Sequence, residues 1–481
     1  MAIDLQVLAP EAIVLAFVLI VLLIHALSGK RSATLVGGLA LLGVVLAGAA
    51  SLYYWGDTAP TFQGMVAADG YGLFANLLFL LAAGLAILMG LEAVRRFDLP
   101  AEVFTLILIA CLGMMLLGSA VNLVAVFLAL EILSISLYVL TASERDEWRS
   151  LEAGMKYFVL GGFASAFLLF GIAMIYGATG TFSLAEIGAQ GAALGTLRDA
   201  PLLAAGLVFV LVGFAFKVAL VPFQMWTPDV YEGAPSLVTA FMSVGAKAAG
   251  FVALVRILET AFPYWRMEWG WALAAIAVLT MSWGNMAALG QRSVKRLLAY
   301  SSIAHAGYIA IGLAVAGRTG YASVFFYLLC YTLMNVGAFA VILAMGRKGA
   351  FNEDMDDYAG LIRRKPGLAL AMALFLLALA GIPLTAGFLA KLYVFSAAVV
   401  GGYAWLAAIA LINAVISAYY YLRVAARMFF GEAPADASPI HVSAPLGVTL
   451  ALTGLATVAL GVYPAPILNL IQAAIRPIVG F

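Results

Sequence analysis

Charge is what this sequence is short of. Asp, Glu, Lys and Arg make up 10% of its 481 residues, against roughly 25% in soluble domains. Hydrophobic residues supply 65%, which excludes a soluble globular class. The formal net charge is +1, so nucleic acid is excluded as a partner, because holding phosphates takes a basic patch. Cysteine is nearly absent. Cys111 and Cys330 lie far apart in apolar segments, which argues against a disulfide framework or a cysteine metal site. The three histidines, His25, His305 and His441, are scattered and provide no paired axial ligands for haem. These shortages describe a polytopic protein of the lipid bilayer, with no cofactor, metal or redox centre expected in the chain.

Long apolar runs are what it has instead. A span needs roughly 20 predominantly apolar residues. Runs of that kind predict helices near 10–28, 33–54, 71–93, 101–119, 121–142, 153–176, 203–222, 236–258, 269–290, 297–316, 320–346, 366–397, 402–429 and 444–463. The fold class is therefore all-α, with about 14 transmembrane helices. The first run lacks a basic segment before it and a small-residue cleavage site after it, so it reads as a retained span. Beyond the last span, 464–481 is apolar with one arginine and is left open between an interfacial and a packed segment.

Lys and Arg favour cytoplasmic connections, and here they alternate. Lys30, Arg31, Arg95, Arg96, Arg145, Arg149, Lys156, Arg292, Lys295, Arg296, Arg347, Lys348, Arg363, Arg364, Lys365, Arg423 and Arg427 follow odd-numbered helices. Only Arg198, Arg256, Arg266, Arg318 and Arg476 fall on the other side. Both termini are then expected on the outer side. In the longest inner connection, 346–365, the acidic run from Asn352 to Asp357 reads as a solvated loop rather than a metal site.

The seventh helix places Lys217 five residues before Pro222, in a stretch that continues through Trp226, Pro228, Asp229 and Gly233 to Pro235. Proline donates no hydrogen bond and clashes with the preceding turn, so the helix should break beside the charge. In lipid a break is tolerated only against protein or a water-filled cavity. The twelfth helix repeats the device in reverse, with Gly381 and Pro383 ahead of Lys391. Paired interrupted helices point to an inverted-repeat transporter site. The expected organisation is one membrane domain: helices 1–3 over 1–100, a five-helix repeat over 101–260, its inverted partner over 261–430, and helix 14 with the C-terminal segment over 431–481.

Glu131, Lys217, Lys247 and Lys391 sit well inside spans, each costing roughly 2.5–3.5 kcal/mol near the bilayer centre. The plain alternative is structural pairing or snorkelling, which suits Lys156, with Glu152 as its i, i+4 partner. For the deeper four, a chain of Lys and Glu joined by water is a proton relay with an electrostatic switch. His305 lies between lysines in sequence and has a reference pKa near neutrality, about 6.5; it is either a relay member or a hydrogen-bonded interior residue. Asn285, Tyr300, Tyr327, Tyr331, Asn335 and Tyr419 are candidates for hydroxyl or amide steps.

These residues carry a family resemblance. Glu131 with Ser134, Ser136 and Tyr138, the Lys217 to Pro235 stretch, the run from Val294 through Lys295 to His305, and Gly381, Pro383, Gly387 and Lys391 resemble the subunit N family of bacterial proton-translocating NADH-quinone oxidoreductase, respiratory complex I. That family belongs to the superfamily shared with cation/proton antiporter subunits, and the likeness runs over nearly the whole chain. The resemblance implies an antiporter-like subunit of the membrane arm in the bacterial inner membrane, with inverted repeats and interrupted helices 7 and 12. It implies proton-relay roles for Glu131, Lys217, Lys247 and Lys391. It also implies partners among the neighbouring antiporter-like and small membrane subunits, with NADH, FMN, iron–sulfur clusters and quinone handled elsewhere in the complex. A free-standing cation/proton antiporter and a non-pumping membrane scaffold are the alternatives.

Overall fold

The computed structural model of the chain describes residues 8–28, 33–55, 59–61, 64–191, 195–197, 199–346, 353–434 and 440–479. Lys30, Arg31, Arg198, Arg347, Lys348 and Asn352 lie outside the described residues. The chain begins with α1 (Ala9–Ser28) and α2 (Ala33–Tyr53), followed by a small antiparallel pair, β1 (Ala59–Thr61) and β2 (Val66–Ala68), which hydropathy does not reveal. Next come α3 (Gly70–Phe97), α4 (Glu102–Ser119), α5 (Leu123–Thr141), α6 (Trp148–Thr179), the short α7 (Leu184–Gly191) and α8 (Pro201–Val218). After α9 (Thr227–Gly233) the chain runs through α10 (Ser236–Phe241), a π-helical segment at Met242–Ala246, and α11 (Lys247–Ala261) as one continuous rod. It continues with α12 (Arg266–Leu289), α13 (Val294–Val315), α14 (Gly317–Met345), α15 (Leu361–Arg364), α16 (Pro366–Ala380), α17 (Ala386–Val400), α18 (Ala404–Phe430), α19 (Ala444–Val462) and α20 (Ala465–Val479).

Among the described residues, 13 helices are long and apolar enough to cross a membrane. The segment expected over 366–397 is divided between α16 and α17, each too short by itself. α4 and α5 stay separate because Asn122 caps the second, its side chain accepting from the Val124 N–H at 2.9 Å. Such a cap is worth about 1 kcal/mol.

The bundle is inside out relative to a soluble protein. Leu15, Leu19, Leu23, Leu411, Ile412, Val415, Leu452 and Leu455 are exposed, as expected where the solvent is hydrocarbon. Polar groups lie inside. α14 runs through the middle, buried along nearly its whole length, against α10, α13, α16, α17 and α19. α20 settles the open C-terminal segment: Ile471, Ala474 and Ile475 turn inward where it packs on α3 and α14.

Three expectations are corrected. Arg256, counted among the outer-side cations, is buried on α11 and forms a two-armed ion pair with Asp69 at 2.8 Å on each arm, above the Tyr71 ring. Lys295, assigned to an inner loop, is buried against Glu353 at 3.0 Å. Glu353 is therefore not part of a solvated run, although Asp356 is exposed and pairs with Arg427. Composition cannot separate a cation near a helix end from one folded back into the bundle.

Candidate functional site

The first break falls four residues earlier than its proline. α8 stops at Val218, and Ala219 takes the left-handed conformation at φ 62°, its N–H turned back to the Ala215 and Phe216 carbonyls. Pro222 has no N–H for the Val218 carbonyl, so the helix closes before reaching it. Lys217 is left in the last turn. Its ammonium donates to Ser134 Oγ of α5 at 2.9 Å and lies 5.7 Å from the centre of the Tyr157 ring of α6. Leu130, Ser134, Gly161, Ser165 and Lys217 line a small cleft between α5, α6 and α8.

Lys247 stands where the π-helical segment returns to α-helix, an irregularity often met at functional sites. Its ammonium donates to both the carbonyl and the hydroxyl of Ser302 on α13 and lies 5.4 Å from the Tyr331 ring centre. Lys391, on α17, donates to the Ala380 carbonyl at 2.8 Å and lies 5.2 Å from the Tyr308 ring centre. That carbonyl ends α16, where Gly381 turns left-handed at φ 90° and its N–H returns to Leu377 and Ala378.

The three lysines thus share one environment: a neutral oxygen accepting the proton-bearing nitrogen, and a tyrosine face beneath it. All three are buried. Among the described residues none is in an ion pair. A cation over an aromatic face within about 6 Å gains roughly 0.5–2 kcal/mol, which offsets part of the cost of burial without a carboxylate.

His305 lies between two of them. Its ring is 5.0 Å from Tyr331, which carries Lys247, and 5.8 Å from Tyr308, which carries Lys391. Nδ1 is bonded to Tyr327 Oη at 2.8 Å, and Nε2 to Tyr421 Oη at 3.1 Å. Tyr421 in turn bonds Ser301. Asn285 donates to Tyr308 Oη at 3.0 Å and accepts from Tyr420 at 3.0 Å. Between Lys217 and Lys247 the link is packing. A Cβ on Gly250, three residues beyond Lys247, would stand 3.7 Å from Lys217 Cγ and 2.4 Å from Val218 Cγ1. Only a glycine lets α8 approach α11 that closely.

Glu131 is half-buried one turn before Ser134 on α5 and accepts from Ser165 Oγ. It makes no direct ion pair with Lys217 among the described residues. Lys156 pairs with Glu152 at 2.8 Å, as expected, and also with Asp229 at 3.0 Å. Of the candidate hydroxyls and amides, Tyr327 and Tyr331 reach the site and Asn285 reaches Tyr308. Asn335 donates to Ser243 at 2.6 Å, and Tyr300 sits by Arg296. Tyr419 faces outward at 61% exposure; Tyr420 and Tyr421 take its place. Sequence reasoning assigns no acceptor role to Ser134 or Ser302 and no role to the rings of Tyr157 and Tyr308. A hydroxyl inside an apolar span is the signal that marks them.

Residues 120–417 match the family model described as NADH:quinone oxidoreductase/Mrp antiporter, TM. NADH-quinone oxidoreductase subunit N of Trichlorobacter lovleyi is 46% identical over 475 residues, covering 98% of this chain and 97% of that protein. A chain of respiratory complex I from Thermus thermophilus with bound aureothin matches with TM-score 0.81 and 37% identity, over 96% of this chain and 99% of that one. A chain of the Mrp complex from Dietzia sp. matches with TM-score 0.88 over 99% and 98%, and at 22% identity shows the fold alone.

Proposed function

The chain belongs to the NADH:quinone oxidoreductase/Mrp antiporter transmembrane family, and from that membership we propose that it is a proton-translocating subunit of a complex I membrane arm, with Lys217, Lys247 and Lys391 as its relay. NADH, FMN, iron–sulfur clusters and quinone act in partner subunits of that complex. The membrane is the bacterial inner membrane, with the Lys- and Arg-rich end inside and both termini outside. Residues 101–260 and 261–430 form the two inverted units, each contributing one broken helix.

One observation carries the reading: three buried ammonium groups held on neutral oxygens over tyrosine rings. A lysine fixed in an ion pair must break that pair to release a proton. A lysine on a hydroxyl or carbonyl need not, so it can pass the proton when water or a neighbouring base comes within reach. Tyr331, His305 and Tyr308 span the interval from Lys247 to Lys391, and hydrogen bonds at both His305 nitrogens suit it to accept on one side and donate on the other. Glu131 tunes the first lysine from α5, one turn before the Ser134 that holds it. Lys217 is on Ser134 and Glu131 on Ser165; approach of Glu131 would hold Lys217 charged.

The test is NADH-driven proton translocation by the intact complex in liposomes. Lys247→Ala in an assembled complex is expected to lose the translocation carried by this subunit, by about a hundredfold, the low end for removing a proton-transfer group. Unchanged pumping defeats the relay.

A further inference from the structure

Tyr157, whose ring centre lies 5.7 Å from the Lys217 ammonium, is fully buried on α6, yet its hydroxyl has no hydrogen-bond partner among the described residues. A buried tyrosine is as a rule fixed by that bond. Here ring contacts alone hold the side chain. Tyr138 of α5 packs edge to face against it, with centroids 4.8 Å apart and planes at 83°. Trp226 lies flat on it, with centroids 4.5 Å apart and planes within 6°.

Trp226 also reaches back across the first break. Its indole Nε1–H donates to the Phe216 carbonyl at 2.9 Å, and Phe216 immediately precedes Lys217. The last carbonyls of a helix have no partner within it. The Ala219 N–H supplies one donor to Phe216 at 3.1 Å, and the indole supplies a second from beyond the break. One buried side chain therefore fixes both the turn that carries Lys217 and the ring that faces its ammonium.

The indole is anchored in its turn. Trp226 caps the start of α9, on which Asp229 pairs with Lys156 of α6 at 3.0 Å and with Arg296 of α13 at 3.0 Å, while Glu232 pairs with Arg296 at 2.6 Å. Lys156 and Tyr157 are neighbours on α6, so the segment grips that helix at two successive residues. The ion pairs are partly exposed and individually weak; the buried stack is what sets the ring. We propose that Trp226 is the positioning residue of the first lysine, holding the Tyr157 ring and the last turn of α8 together so that Lys217 keeps an aromatic face when it leaves the Ser134 hydroxyl. The proposal rests on the relay reading above. No proton passes through Trp226, and Tyr157 acts by its ring, which stabilises the ammonium form, rather than by its hydroxyl.

The experiment measures protons translocated per NADH oxidised by the intact complex in liposomes. The part of that ratio lost in Lys217→Ala is the share carried through this lysine. Trp226→Leu removes both the stack and the donor and is expected to lower that share about fivefold, whereas Trp226→Phe keeps a ring without the donor and holds it at about half. Tyr157→Phe is expected to pump like the unsubstituted complex, and Tyr157→Leu to fall with Trp226→Leu. Added to Lys217→Ala, Trp226→Leu should cause no further loss, since it acts only through that lysine; damage to the fold at large would add one. An assembled Trp226→Leu complex with the original ratio overturns the proposal, as does a further loss in the double variant or a loss in Tyr157→Phe. Should Trp226→Leu fail to assemble, an unaffected Trp226→Phe complex overturns it. Loss of pumping in Lys217→Ala beside an unaffected Trp226→Leu removes the positioning role and leaves the relay standing, whereas unaffected pumping in Lys217→Ala removes the relay itself.

Discussion

The two broken helices hold their lysines in opposite ways. At the first break Lys217 precedes the interruption and reaches across to a side chain on another helix, Ser134. At the second, Lys391 follows the interruption and reaches back to the carbonyl that ends the other half of its own broken helix, Ala380. A serine hydroxyl rotates, so Lys217 can be released while the backbone stays in place. A helix-end carbonyl is fixed and carries the negative end of the helix dipole, so Lys391 leaves it only by moving its own side chain. In the proposed relay the first break is therefore the adjustable end, with Glu131 one turn before Ser134 on α5, and the second is the rigid end.

The rigid end gives the larger expected effect. A Cβ on Gly381 would stand 2.9 Å from Lys391 Cδ, at a φ of 90° that side chains rarely adopt. Gly381→Ala should displace Lys391 as well as strain the turn at about 1–2 kcal/mol, lowering proton translocation by the assembled complex on the order of tenfold. Wild-type translocation with Lys391 still on Ala380 would show that this end is not rigid.

The adjustable end should give less. Ser134→Ala removes a hydrogen bond to a charged group, worth about 1.5–3 kcal/mol when nothing replaces it. The small cleft beside Lys217 has room for one bridging water in place of the hydroxyl, so the expected loss is about threefold, and Ser134→Thr should recover most of it. A loss as severe as that of Gly381→Ala would erase the contrast between the breaks.

Why the breaks were legible and their partners were not follows from the same residues. A lysine in an apolar run has no cheap explanation, so Lys217, Lys247 and Lys391 stand out by cost alone, and Pro222 and Gly381 mark nearby irregular backbone. Glu131 was legible as a buried acid, but its distance from Lys217 was not, because the two lie on different helices. Ser134 and Ser302 stand out as hydroxyls inside apolar runs but not as the partners of particular lysines, and the Ala380 carbonyl has no sequence signature at all. Tyr419, Tyr420 and Tyr421 show the limit of periodicity. Neighbours on a helix differ by about 100° of rotation, too little for a run of three tyrosines to declare which one faces inward.

The central claim is that both breaks belong to one path, and it is tested most directly by combining them. Proton translocation is measured in intact complexes carrying Lys217→Ala, Lys391→Ala, or both. Groups acting as one unit are grossly non-additive. A serial relay predicts that the double variant, fully assembled, pumps no worse than the more severe single one. Losses that add between the two sites would contradict it, since each lysine would then serve a separate route.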